Sequence, residues 1–186
     1  MSTSKQYLKQ AGSDSDSLVL KFYLLMLLAI TVIPATSVAA PLEKLVVLPF
    51  EIVDNTPMPG GRERNQLMLE KLTQYIGDRI DRAGLYQVVP QNQVNDAVED
   101  ADLGTDIRNC NLCEYDLARQ VEGEKVMHGW IYKMSILILT LHIELKNVAS
   151  EETLIKKAYD FRGDNEKAWK RAANYMVRDL SMMMNK

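Results

Sequence analysis

The sequence predicts a mixed α/β fold of the α+β kind: one mixed sheet with helices packed on it, in the order β-α-β-α-α-β-β-β-α. Three observations carry this. A nearly continuous apolar run, "KLVVLPFEIV" from Lys44 to Val53, suits a short strand buried on both faces. In "SILILTLHIELKNV", Leu137, Leu139, Leu141, Ile143 and Leu145 occupy every second position, against residues that turn polar from Thr140 onward. That is one face of a sheet packed on a core. Other segments repeat apolar residues at helical spacing, and a one-sided apolar sheet needs such a cover.

Taken in order, the first strand contains Pro49, which argues for a strand end or an edge, and it stops at the turn-rich "DNTPMPGGRER". A helix follows with Met68, Leu72, Ile76, Ile80 and Ala83 on one side and Gly84 where a C-terminal glycine belongs. "LYQVVP" is the second strand, and "QNQVNDAVED" a short helix. After the polar linker "ADLGTDIRN" comes a helix with Leu117, Ala118 and Val121, closed by Gly123. "EKVMHGWIYKM", "SILILTLHIELKNV" and "ETLIKKAYDFRG" form an antiparallel set of three strands. The last helix carries Trp169, Ala172, Ala173, Met176, Val177 and Leu180 along one side, with Asp164 or Asn165 as its cap.

The first 39 residues stand apart. Lysines and aspartates precede an apolar run, Phe22 to Ile33, and the small-residue stretch "ATSVAAP" follows Pro34. These are the three regions of a secretory signal peptide, with Ser37 and Ala39 at −3 and −1. Cleavage before Ala40 leaves residues 40–186 as a single domain. The alternative is an uncleaved anchor, although the run is shorter than the roughly 20 residues that span a bilayer. Either way the domain is expected in the periplasm of a Gram-negative cell, free or tethered to the inner membrane through its N-terminus. No cysteine lies near the cleavage site to take a lipid. The formal net charge of −3 offers no basic face for nucleic acid.

Few residues suggest chemistry. Cys110 and Cys113 are the chain's two cysteines, and in an oxidising compartment nearby thiols pair, here as a staple at a helix start. A redox dithiol stays open as an alternative: the helix start favours the thiolate, while Glu114 and Asp116 oppose it. So does a zinc clip completed by histidines or carboxylates. Haem attachment needs a histidine after Cys113, where Glu114 stands. His128 and His142 lie on successive strands, and a turn centred on Ser135 sets them directly opposite as a weak two-ligand metal candidate. A shift of one residue puts them on different faces. Asp100, Asp102 and Asp106 lack the glycine and distal glutamate of a calcium loop and read as a solvated linker. "PMPGGRER" lacks the ending of a phosphate loop. No catalytic constellation and no cofactor are expected.

Two surfaces are candidates for a protein partner. One is an open strand edge of the sheet. The other is the polar corner of "DFRGDNEKAWKR", with Asp160, Arg162, Asp164, Lys170 and Arg171, where a helix start and Arg162 suit an anionic group. The structural reading of the same corner is a buried pair of Arg162 with an aspartate, and Trp169 in the core.

"KLVVLPFEIVDN", the helix after it and "GLYQVVP" resemble the opening shared by the TolB amino-terminal domain, the curli-secretion lipoprotein and outer-membrane activators of penicillin-binding proteins. "NCNLCEYDLA", "GWIYKMS" and "DFRGDNEKAWKR" resemble a family of secreted bacterial proteins of unknown function, over almost all of the chain after residue 39. The resemblance implies a TolB amino-terminal-like envelope domain that binds an unknown periplasmic or envelope protein, in assembly or scaffolding, without catalysis. It also implies an association with a periplasmic quinoprotein dehydrogenase system. The alternative function is a periplasmic thiol-redox or metal-handling protein using Cys110 and Cys113.

Overall fold

Pro49 divides the first apolar run into two strands. In the computed structural model of the chain, which describes residues 40–102 and 107–184, β1 (Lys44–Val47) and β2 (Glu51–Asp54) run parallel to one and the same later strand. Proline has no amide for a ladder, so the pairing lapses there and resumes at Glu51. The interruption turns Phe50 inward. Its ring fills the space above Gly129, where any Cβ would overlap it.

The remaining elements are α1 (Gly61–Arg82), β3 (Gln87–Val88), α2 (Gln91–Asp100), a 3-10 turn (Ile107–Asn109), α3 (Cys113–Gln120), β4 (Lys125–Lys133), β5 (Ile138–Asn147), β6 (Thr153–Arg162) and α4 (Glu166–Met184). This is the predicted order with its first strand doubled. Helix α1 ends in a Schellman motif: Gly84 has φ +63°, its amide reaches the Asp81 carbonyl, and the Leu85 amide reaches that of Ile80. Helix α4 starts under Asn165, whose side-chain oxygen accepts from the Ala168 amide at 3.0 Å.

The sheet runs β3-β1-β4-β5-β6, with β2 continuing the line of β1 beside β4. The first three strands are parallel to their neighbours, and β4, β5 and β6 form an antiparallel meander. Leu139, Leu141, Ile143 and Leu145 are buried as the alternation predicts, with Met127 and Ile131 beside them. They pack against Leu72, Ile76 and Ile80 of α1 and Trp169, Met176 and Leu180 of α4. At roughly 1.5–3 kcal/mol for each fully buried apolar side chain, this is the larger store of hydrophobic stabilisation. A smaller cluster on the opposite face joins Val46, Leu48 and Val126 to α2 and α3. Leu137 departs from the prediction: it sits at the β4–β5 turn and is 64% exposed, because Lys133 pairs with Leu139, which makes the turn two residues longer than a centre at Ser135 allows.

Pro41–Lys186 forms one compact unit. The predicted signal peptide, 1–39, and Asp106 of the acidic linker lie outside the described residues. No described helix is long and apolar enough to cross a membrane.

Candidate functional site

The interruption at Pro49 also makes a cleft. Because β3 has only two residues, it flanks β1 and stops, and among the described residues no strand lies on the outer side of β2. The Asn55 amide donates to the Lys133 carbonyl at 3.1 Å, so by alternation the amides of Val53 and Glu51 face β4 while those of Ile52 and Asp54 face away. They face a cleft of about 950 Å³ between β2, the first half of α1, and α2. Its apolar lining includes Phe50, Ile52, Leu69 and Val98, and its charged lining Glu70, Glu99 and Asp102 against Arg62. The outward Phe50 amide is already taken by Thr73 Oγ1 of α1 at 3.0 Å.

A closed ion cluster ends the cleft. Lys133 is only 1% exposed, and its ammonium lies 3.1 Å from Asp54 Oδ2 and 3.0 Å from Asp164 Oδ2. Arg64 completes the balance of charge, 3.2 Å from Asp164 Oδ2 and donating to the Asp164 carbonyl at 2.6 Å. Burial alone would push the Lys133 pKa down, and the two carboxylates outweigh it and hold it above the usual lysine value. For Asp54 burial acts upward, and donors from the Thr56 amide, Lys133 and Asn65 overcome it, so its pKa is lowered. Asn65 donates to Asp54 at 3.0 Å, which leaves its Oδ1 buried in the cleft wall as an acceptor with no partner.

The sheet face opposite the main core is partly open and aromatic. Trp130 stacks on His142 with ring centroids 4.7 Å apart, and the Arg108 guanidinium lies 5.8 Å from the Trp130 centroid. Arg108 is positioned by Glu51: its amide donates to Oε1 at 2.9 Å and its Nε lies 3.7 Å from Oε2. Two residues on, Cys110 and Cys113 form the expected disulfide, which ties the 3-10 turn to the first residue of α3. Helix α3 is fixed again by Glu114, whose carboxylate accepts from Lys146 of β5 at 2.9 Å.

The histidine geometry corrects the expectation. The hairpin pairs His142 with Trp130 and His128 with Glu144, so the register centres on Ile136 and the two histidines are diagonal, with Trp130 between them. His128 is buried, its Nε2 without a hydrogen-bond partner and 3.9 Å from Glu51. Among the described residues no group of three or more histidines, cysteines or carboxylates is placed to hold a metal.

The corner of five candidate residues does not form one surface. Asp164 is withdrawn into the Lys133 cluster, its side chain 4% exposed, which removes it from a partner-binding face. Arg162 is exposed on β6, so the buried pair of the corner is Asp164 with Lys133 instead, and the partly exposed Arg64 meets the same carboxylate. Asp160 accepts from Thr140 at 2.7 Å on the open sheet face. On α4, Lys170 donates to Glu166 at 2.7 Å and lies over the Tyr75 ring, and Arg171 is exposed. Trp169 is in the core. Sequence reasoning missed Lys133, although one signal existed: it shares the phase of Met127 and Ile131, the apolar face of its strand.

Fold and cleft together define a mixed-sheet α/β domain whose accessible features are strand edges and a groove. Residues 43–180 match the family described as "Protein of unknown function (DUF2380)", and the chain belongs to it. Curated protein sequences give no match. Among solved structures, the chain is similar to the lipoprotein GNA1162 from Neisseria meningitidis, at 12% identity and TM-score 0.51, over 74% of this chain and 96% of that one. It is similar to E. coli LpoB, at 16% identity and TM-score 0.50, over 64% of this chain and 57% of that one. TolB from Acinetobacter baumannii aligns at 12% identity and TM-score 0.43, over 76% of this chain and 28% of that one. At these identities the likeness to GNA1162 and LpoB is one of fold.

Proposed function

We propose that the domain is a non-enzymatic binding module of the bacterial envelope, and that the cleft beside β2 takes an extended segment of a protein partner. The observation that carries this is the free edge of β2, whose Ile52 and Asp54 amides open onto the cleft. A strand added there gains main-chain hydrogen bonds from the edge and selectivity from the walls that receive its side chains. Phe50, Ile52, Leu69 and Val98 suit apolar side chains, and the excess of Glu70, Glu99 and Asp102 over Arg62 suits basic ones. The unpartnered Asn65 Oδ1 adds an acceptor. Export is supported by the apolar run from Phe22 to Ile33 with small residues after it. It is supported too by the likeness in fold to a neisserial lipoprotein. A non-catalytic role is supported by the bonding of the two cysteines to each other and the burial of His128. The expected link to a quinoprotein dehydrogenase system has no support in the fold or the cleft.

Ile52→Pro tests the reading, because it removes an outward amide and leaves the β4 ladder intact. A photo-crosslinking residue in place of Leu69 is expected to capture an envelope protein in intact cells and to lose that capture in combination with Ile52→Pro, with circular dichroism unchanged. Undiminished capture in the Ile52→Pro chain, or capture only from a probe at Arg171, removes the cleft as the binding site and favours the start of α4.

A further inference from the structure

The other long edge of the sheet carries a separate inference. Strand β6 has ten residues and, among the described residues, pairs with β5 alone, which leaves its outer side without a neighbouring strand along its length. The Gly163 amide donates to the Leu137 carbonyl at 3.2 Å, which makes that pair hydrogen-bonded across the ladder. By alternation Phe161, Tyr159 and Lys157 also face β5, and the main-chain groups of Lys156, Ala158, Asp160 and Arg162 face outward.

We propose that β6 is a self-association edge, at which two copies of this chain pair antiparallel about a twofold axis at Ala158. The sequence of the strand is complementary to itself about that residue. Lys156 then opposes Asp160 of the other copy, Ile155 opposes Phe161, Lys157 opposes Tyr159, and the smallest side chain of the strand lies on the axis. Opposite charges and apolar pairs set directly across a ladder are each stabilising, and like charges are not. Neighbouring axes lack this match. An axis at Lys157 or Asp160 sets like charges face to face, and one at Tyr159 sets Lys156 against Arg162.

The faces agree with the pairing. Ile155 and Phe161 are half-buried against the core beneath α4, so their cross-strand contact continues that core across the junction. Lys156 and Asp160 project from the open face, where each already holds one partner, Glu144 at 2.6 Å and Thr140 at 2.7 Å. The two side chains are thus held in place before association, which lowers the entropy lost on pairing. Natural sheets protect long edges with proline, inward charge or a bulge. Here a bulge at Leu145/Lys146 disturbs only the start of the strand, β6 contains no proline, and its one charge on the helix-covered face, Lys157, is already engaged 3.9 Å from Asp179 of α4.

Sedimentation equilibrium of the purified chain is expected to show a dimer. K156D alone and D160K alone each place like charges across the axis and should raise the dissociation constant about tenfold or more, whereas the double variant K156D/D160K restores opposition and recovers the dimer. Ala158→Cys adds a covalent readout. Hydrogen-bonded antiparallel partners stand about 5.5 Å apart at Cα, within disulfide reach, so the A158C chain should link to itself on oxidation and the K156C chain should not. A monomer at every concentration overturns the proposal. So does a dimer insensitive to both single reversals, or one that the double reversal fails to recover.

Discussion

Lys133 owes its charge to its neighbours. A lysine buried to this depth is tolerated because Asp54 and Asp164 sit about 3 Å away and Arg64 balances the second carboxylate. Lys133→Ala strands two carboxylates beside one guanidinium, and a loss of about 3–5 kcal/mol in urea unfolding is expected. Arg162→Ala, on the exposed side of β6, should change stability by less than about 0.5 kcal/mol. A large loss at Arg162 with none at Lys133 would return the buried pair to Arg162. The phase of Lys133 on its strand was legible in the sequence, since every second residue faces one side. Its partners were not, because Asp54 and Asp164 come from distant parts of the chain and only the finished sheet brings them together. Arg162 was misread for the converse reason: its alternation with Asp160 and Asp164 says nothing of which side of the strand meets the helices.

At the scale of elements, local chemistry was most legible where it acts locally. The Gly84 stop of α1, the start of α4 and the alternation of β5 follow from residues within a turn or a strand of each other. The cleft follows from a subtler fact, that a proline in a buried strand interrupts pairing with β4 and leaves β2 beyond the reach of a two-residue β3. The disulfide belongs to this scale as well. It closes a loop so short that, in the chain-entropy account, it contributes about 2 kcal/mol. Its position shows a further role: it holds the turn that delivers Arg108 to Glu51 and Trp130. Replacing both cysteines by alanine should therefore lower stability by about 2 kcal/mol and also alter Trp130 fluorescence. Thiol labelling of the native protein should find no reactive group. Rapid labelling near neutral pH would revive the thiol-redox reading.

For the whole molecule, stability should follow pH with a defined sense. Burial lowers the His142 pKa, so the folded state binds this proton less readily than the unfolded chain. Its contribution is present above the ordinary histidine value of about 6.5 and is lost as pH falls through the lower folded value. Glu144 behaves likewise in the carboxylate range: burial acts upward, but Lys156 and Lys146 outweigh it and depress its pKa, as donors do for Asp54. Urea midpoints should thus fall in two acid steps, one beginning below about 6.5 and one below about 4. His142→Phe keeps a ring against Trp130 and should abolish the first step alone. An unchanged first step would mean that His142 is not its source. The order of strands has one more consequence, since it sets the β2 cleft and β6 on opposite margins of the sheet. A contact of β6 with its own counterpart is isologous, so it uses up both participating edges and stops at a pair rather than growing into a filament. The two clefts would then lie at the far ends of the assembly, free of that junction, and a target carrying two copies of the recognised segment would be bound with avidity.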